Sequence, residues 1–229
     1  MAHDALPKSR STETWRLDDS VVGPLIRAAH LGVRGSYRKG EFLYHQGQPD
    51  THFYFMLNGR VRISVFQEDG SEFVLEVMGQ WAVCGEGAAF DGSPRFSSAV
   101  ALENTEVLAF DATDMTEAFR EYPELAVALL RITAMKQRVL GIRAQCLASP
   151  KPEKRIAELL SRLADLYGIS NGGATVIGVS LTHEQIAAMT GTSRVTVTRT
   201  LKRLRDDAII EMKGKQLHIL APARLMHEI

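Results

Sequence analysis

Cysteine is scarce: the 229 residues contain two, Cys84 and Cys146, too few for a disulfide framework or a four-cysteine metal cluster within one chain. No stretch approaches the roughly 18 consecutive apolar residues that a membrane span requires, and the opening Met1-Ala2-His3-Asp4 lacks the basic and then apolar pattern of a secretion signal. These absences predict a cytoplasmic, reducing setting with no membrane partner. Catalytic signatures are missing as well. There is no phosphate loop, no metal-spaced His/Cys cluster and no serine or cysteine elbow. Gly85-Glu86-Gly87 lacks the glycine spacing and the following helix of a dinucleotide site. The chain is not expected to be an enzyme. Net charge is absent too, with 27 basic residues against 27 acidic ones.

What is present is ordinary globular composition, 45% hydrophobic and 24% charged, in a length that allows one large or two modest domains. The zero net charge hides an asymmetry. Residues 1–149 hold 15 Lys and Arg against 19 Asp and Glu, whereas residues 150–229 hold 12 against 8. A basic C-terminal third on an otherwise acidic chain suggests a nucleic-acid-binding module joined to something else.

The order of local patterns predicts an α+β protein. Residues 1–20 are polar, without periodicity, and read as a lead-in. From Tyr37 to Phe110, short strand-like runs such as Phe53-Tyr54-Phe55-Met56-Leu57 and Val61-Arg62-Ile63-Ser64-Val65-Phe66 are separated by regularly placed glycines. Asn58-Gly59 and Asp69-Gly70 match tight hairpin turns. Many short strands at this spacing predict an antiparallel β-roll or jelly roll over 21–121.

Pro123 suits the first turn of a helix over 122–149. Along it Ala128, Ile132, Met135, Val139, Ile142 and Cys146 recur at heptad spacing, a narrow stripe that predicts pairing with a second copy of the helix, or else packing on the helix's own roll. Cys146 on that stripe fits a small apolar seam residue, with a redox disulfide between copies as the alternative; Cys84 reads as core. Ser149-Pro150-Lys151-Pro152 breaks the helix and predicts a hinge at the start of a domain over 150–229. A further helix carries Ile156, Leu159, Leu160, Leu163 and Leu166, ending near Gly168 and a loose Ser170-Asn171-Gly172-Gly173 loop.

The most informative stretch begins at Leu181. Thr182 and Gln185 form a capping box that starts a short helix. Gly191 supplies a tight turn, and Ser193 or Thr192 caps a second helix with Val197, Leu201 and Leu204 on its apolar side. Arg194, Val195, Thr196, Thr198, Arg199 and Lys202 are left near its exposed front. Between 192 and 205 stand five basic residues and no acidic one. Cations near the front of an inserted helix can reach guanine edges, and those further back meet phosphates. The segment is a helix-turn-helix. Ile209 to Leu220 reads as two strands around Lys213-Gly214-Lys215, a wing or a plain hairpin that completes the small core.

With these features in order, the sequence resembles the family of the cyclic-AMP receptor protein and the fumarate–nitrate reductase regulator, over about residues 20–225. The resemblance rests on the glycine-punctuated roll, Gly85-Glu86 followed by Ala88-Ala89-Phe90 and later Arg95, the long helix, and the winged helix-turn-helix. It implies a cyclic-nucleotide-binding-like roll, a homodimer, a palindromic double-stranded DNA site with half-sites about one helical turn apart, and RNA polymerase as a further partner. In members that bind cyclic AMP, the Gly-Glu pair and a later Arg-Ser form a phosphate-binding cassette, and a Thr-Ser pair on the long helix contacts the base. Here Glu86 and Arg95 match, but Phe96 stands at the serine position and Leu140-Gly141 at the Thr-Ser positions. Cyclic AMP is therefore not expected to be the effector. Gly85, Glu86, Arg95, Phe96, Lys136 and Leu140 instead outline a pocket for a small organic anion or an aromatic acid, unless an Arg95–Glu86 or Lys136–Glu86 ion pair holds it shut.

The Arg194-Val195-Thr196-Val197-Thr198-Arg199 run is similar to the nitrogen-control branch, with a like valine in halorespiration regulators. Val195 cannot accept from a cytosine amine, but it can touch a thymine methyl, so the palindrome should differ from the family's two best-known sites. An iron–sulfur cluster is excluded by the missing cysteines, and haem on His30, His45 or His52 is demanded by no spacing. The leading expectation is an effector-gated, dimeric regulator. The alternatives are a constitutive or redox-set regulator of the same family, and a ligand sensor that acts through protein contacts without DNA.

Overall fold

Both faces of the central β-strand are covered, so its sequence is a continuous apolar run rather than an alternation: Phe53, Tyr54, Phe55 and Met56 are all buried. The structure, a computed structural model, describes residues 17, 19–171, 173–178, 180–214 and 216–228; nearly all of the lead-in expected over 1–20 lies outside the described residues. The chain divides into two compact units, one running to Lys136 and the other taking up the chain from Gln137, within the long helix.

The first unit opens with α1 (Asp19–Arg27) and a 3-10 turn (Ala29–Leu31). Eight strands follow: β1 (Val33–Tyr37), β2 (Phe42–Tyr44), β3 (His52–Asn58), β4 (Val61–Phe66), β5 (Glu72–Met78), β6 (Val83–Cys84), β7 (Ser98–Ala101) and β8 (Thr105–Asp111). They form two antiparallel sheets in the orders β1-β8-β3-β6 and β2-β7-β4-β5. One face of β3 sends Phe53 and Phe55 into a core with Leu108 and Phe110, closed by α1, α3 (Ala112–Glu121) and the start of α4 (Pro123–Leu147). Phe53 and Phe110 stack at 5.2 Å. From the other face, Tyr54 stacks on Tyr44 of the second sheet at 5.8 Å.

Three local expectations change. Asp69-Gly70 does turn β4 back onto β5, but Asn58-Gly59 is not a hairpin, because β3 and β4 belong to different sheets. Its glycine is required for another reason. Gly59 has φ +84°, and an added Cβ would lie 2.4 Å from Thr105 Oγ1 and 2.7 Å from the Asn104 carbonyl oxygen. A short helix, α2 (Glu86–Asp91), does follow Gly85, although its six residues and the absent glycine spacing still differ from a dinucleotide fingerprint.

The stripe on α4 is the third. Ile132 is 1% exposed and packs in the roll core beside Leu125 and Leu129, with Met135 against it. Ala128 and Val139 are buried, and Ile142 and Cys146 half-buried, within one chain. Ile132 and Met135 thus follow the alternative of packing on the helix's own roll, whereas Ile142 and Cys146 keep part of their surface open. The opposite side of the same helix is open: Leu130 is 69% and Leu140 56% exposed.

In the second unit α5 (Pro152–Tyr167) begins with proline at its first turn, where the missing N–H costs nothing. It buries Ile156, Leu159, Leu160 and Leu163. Gly168–Asn171 is a strand, β9, paired with β10 (Ala174–Ile177), and not a loose loop. Helices α6 (His183–Thr190) and α7 (Arg194–Asp206) follow, then β11 (Ile210–Lys213), β12 (Gln216–Ile219) and α8 (Pro222–His227). The four strands form one antiparallel sheet in the order β11-β12-β10-β9. The wing hairpin is thus extended by the β9–β10 hairpin, which helps explain how so short a pair is held.

Candidate functional site

Each end of the helix-turn-helix is fixed by a local hydrogen bond. Thr182 Oγ1 accepts from Gln185 N at 3.1 Å, and Gln185 Oε1 accepts from Thr182 N at 2.9 Å. This reciprocal box satisfies two of the otherwise unpaired N–H groups at the start of α6. Gly191 ends α6 at φ +57°, a left-handed conformation that glycine adopts without strain. Ser193 caps α7 by accepting from Thr196 N at 3.1 Å. Arg155 of α5 then secures the turn, donating to the carbonyls of Thr190 (2.8 Å), Gly191 (3.1 Å) and Ser149 (2.7 Å).

This scaffold buries Val197, Thr200, Leu201 and Leu204 of α7 and leaves Arg194, Val195, Thr198, Arg199 and Lys202 on its exposed side, with Ser193 exposed at the cap and Thr196 half-buried. Val195 is 77% exposed, an unusual placement for a valine. The side chains of Arg194 and Arg199 lie 3.7 Å from Glu184 and 3.8 Å from Glu153. Both pairs are long and solvated, and contribute little to stability. Arg203 differs: it donates to Glu228 at 2.6 Å and is tied toward α8. The five cations noted in the sequence are therefore not equivalent. Thr198 Oγ1 donates to the Arg194 carbonyl and contacts His183 Nδ1, both at 2.9 Å, so its hydroxyl already serves α6–α7 packing.

In the first unit the predicted effector residues are engaged by their own chain. Arg95 is 2% exposed. Its guanidinium donates to Gly85 O at 2.5 Å, to Asp50 Oδ2 at 2.6 Å and to His52 O, and lies 4.4 Å from the centre of the Tyr44 ring. Asp50 was not among the residues singled out in the sequence. Its second oxygen, Oδ1, accepts from His52 N at 3.0 Å and meets His52 Nδ1 at 2.8 Å. Burial alone would raise the Asp50 carboxyl pKa, but the hydrogen bonds from Arg95 and His52 outweigh it and hold the group below the usual carboxylate range. Lys136 donates to Val83 O at 2.9 Å and pairs with Glu86. Phe96, expected to line the pocket, is 74% exposed and projects into solvent. Leu140 is likewise exposed. Of the six residues, Glu86, Arg95 and Lys136 carry internal ion pairs, and Phe96 and Leu140 are exposed.

The remaining candidates also have partners. His30 Nδ1 lies 3.2 Å from Arg27 O, His45 stacks on Phe42, and His52 is held by Asp50. Among the described residues no group of three or more His, Cys, Asp or Glu could hold a metal ion, and no helix is long and apolar enough to cross a membrane. Burial, followed by the charge of Glu86 among the groups that raise it, pushes the Cys84 thiol up to about 12. Burial and then Glu158 push Cys146 up to about 11. At neutral pH both are thiols, and the thiolate is the reactive form. Native protein should react only slowly with a disulfide reagent at pH 7.5, and Cys146→Ser should leave DNA affinity within about twofold; loss of binding by a folded Cys146→Ser protein in an anisotropy titration would restore the redox reading.

Residues 34–122 match the family model described as cyclic nucleotide-binding domain, and residues 154–228 match the Crp-like helix-turn-helix domain. The chain is 30% identical to the CRP-like cAMP-activated global transcriptional regulator of Mycobacterium tuberculosis (strain ATCC 25618 / H37Rv), over 82% of this chain and 84% of that one. It is 28% identical to the global nitrogen regulator of Nostoc sp. (strain PCC 7120), over 91% and 95%. Among solved structures, FixK2 from Bradyrhizobium japonicum shares the fold with a TM-score of 0.75 at 22% identity, covering 86% of this chain and 96% of that one. Roll, long helix and winged helix-turn-helix together define a DNA-binding transcription regulator. The chain belongs to the Crp/Fnr family.

Proposed function

We propose that the protein works as a homodimer that reads a palindromic duplex, placing α7 of each protomer in successive major grooves about one helical turn apart. The observation that carries this reading is the exposed side of α7, where Arg194, Val195, Arg199 and Lys202 stand together and the two arginines make only long, solvated ion pairs among the described residues. Arg199 and Arg194 suit guanine edges, Val195 a thymine methyl, and Lys202 a phosphate. The β11–β12 hairpin, turning at Gly214 with φ +62°, suits a backbone contact beside the groove. RNA polymerase is the further partner that control of transcription implies.

The pairing surface of this dimer is the open side of α4. Ala126, Leu130, Thr133, Gln137, Leu140, Ala144 and Leu147 recur at spacings of four and three on that side, and all but the half-buried Ala126 are exposed. A heptad stripe left open on a 25-residue helix is what a two-stranded seam needs.

The M. tuberculosis relative is named as cAMP-activated, but that property is not carried over. Arg95 and Glu86 are both paired internally here, which favours a regulator whose DNA binding does not wait for a nucleotide. Selection from random duplex DNA, with and without cyclic AMP, small carboxylates and aromatic acids, tests the reading. A palindrome enriched without additions is expected, with affinity falling steeply as salt rises. Failure to enrich any sequence under all conditions would remove the DNA-reading assignment.

A further inference from the structure

We propose that Asp50 is a resident anion: its carboxylate fills the place on Arg95 that a small anionic effector would take, so the sensing roll is held in an anion-occupied arrangement by its own chain. The inference rests on the reading of the protein as a Crp/Fnr-type regulator for its biological meaning, but its geometry belongs to the roll alone.

Arg95 is a cation with almost no contact with water. A buried guanidinium is tolerated only with a counter-charge and with most of its donors matched. Three oxygens meet it: the Gly85 carbonyl, the His52 carbonyl and Asp50 Oδ2. Only the last is charged. Tyr44 covers the ring face of the guanidinium. The Nε–H is buried and has no hydrogen-bond partner among the described residues.

Asp50 is itself pre-organised. It lies in the turn before β3, and both its oxygens are fixed, Oδ1 by the His52 backbone N–H and ring, Oδ2 by Arg95. A tethered carboxylate acts at an effective concentration that a free ligand at micromolar level does not match. Displacing it would leave a carboxylate needing a new partner in a half-buried turn.

The neighbouring segment shows the same self-sufficiency. Lys136 spans Val83 O and Glu86, while Arg95 holds Gly85 O. Two internal cations thus brace the stretch 83–86. An anion that gains nothing over Asp50 in either conformation of the protein shifts no equilibrium between them. A cyclic nucleotide phosphate does not fit this arrangement, because its position on Arg95 is taken and Phe96 faces solvent instead of offering a hydroxyl.

The test is chemical rescue in the full-length protein, read by thermal melting, which needs no DNA and so fails or succeeds separately from the DNA-reading assignment. Asp50→Ala should melt below the wild type. Acetate should raise its midpoint by roughly 2–4 °C beyond the same concentration of chloride, with inorganic phosphate as a second probe of size. Wild-type protein should show no such difference, and cyclic AMP should not move its midpoint. In Asp50→Ala combined with Arg95→Met, the acetate response should vanish and the midpoint should exceed that of Asp50→Ala alone. An acetate response no larger in Asp50→Ala than in wild type, its persistence without Arg95, or a wild-type shift with cyclic AMP overturns the proposal. If Asp50→Ala does not fold, recovery of a folded protein in the double variant supports the proposal, and failure to recover refutes it.

Discussion

Leu130→Asp should leave a folded protomer that no longer dimerises at micromolar concentration and binds its palindrome at least about 100-fold more weakly. Leu130 is 69% exposed in the single chain, so the substitution alters little inside a protomer, within about 0.5 kcal/mol for a surface site. In a two-fold symmetric seam it acts twice. Each protomer would bring a carboxylate into an apolar contact, where the desolvation penalty is several kcal/mol per ion and the two like charges repel. Loss of the dimer removes the linked second half-site, which is worth roughly 10²–10⁴ in avidity. Sedimentation velocity separates this from an alternative placement of the seam. Ile132→Asp puts the same charge on the buried stripe, where the residue is 1% exposed in the roll core, and should unfold the roll instead of splitting a dimer. A dimeric Leu130→Asp protein would show that pairing lies elsewhere.

That contrast also explains where periodicity misleads. Two heptad stripes run along α4. The more apolar one includes Ile132 and Met135, which pack in the roll core, and the buried Val139. The open one is diluted by Thr133, Gln137 and Ala144, so a hydrophobic pattern picks out the other stripe first. A helix that must serve both a core and a partner gives its strongest pattern to the core, which every protomer needs in order to fold. Local signals fared differently. Thr182, Gln185, Gly191 and Ser193 act on backbone groups within three or four residues, so the helix-turn-helix was readable from spacing alone. Asn58-Gly59 carries the signature of a hairpin but joins strands of different sheets, since sheet membership is decided by contacts far along the chain. Gly168–Asn171 was missed because it is short and mostly exposed, with no alternation to read. Asp50 lies 45 residues from Arg95. No spacing connects them, and only the antiparallel closure of the roll brings the carboxylate to the guanidinium.

Arg199→Ala should retain fold and dimer but lose most discrimination for the selected palindrome. Its side chain is 74% exposed and its carboxylate partner, Glu153, lies 3.8 Å away, a solvated pair that DNA can displace at small cost. A bidentate contact to a guanine edge is worth about 1–3 kcal/mol of discrimination, and the symmetric site contains two. The combined loss of about 2–6 kcal/mol is roughly a 30-fold to 10⁴-fold fall in affinity. A phosphate contact predicts something else: uniform weakening on every sequence, with the salt slope reduced by about one per contact. Anisotropy titrations on the palindrome, on a duplex altered at one symmetric base pair, and at several salt concentrations distinguish the two. Arg199→Lys should not restore discrimination, because an ammonium lacks the planar fork that matches two acceptors at once. Full discrimination by Arg199→Ala would mean that α7 docks with Arg194 and Val195 over the bases and Arg199 outside the groove.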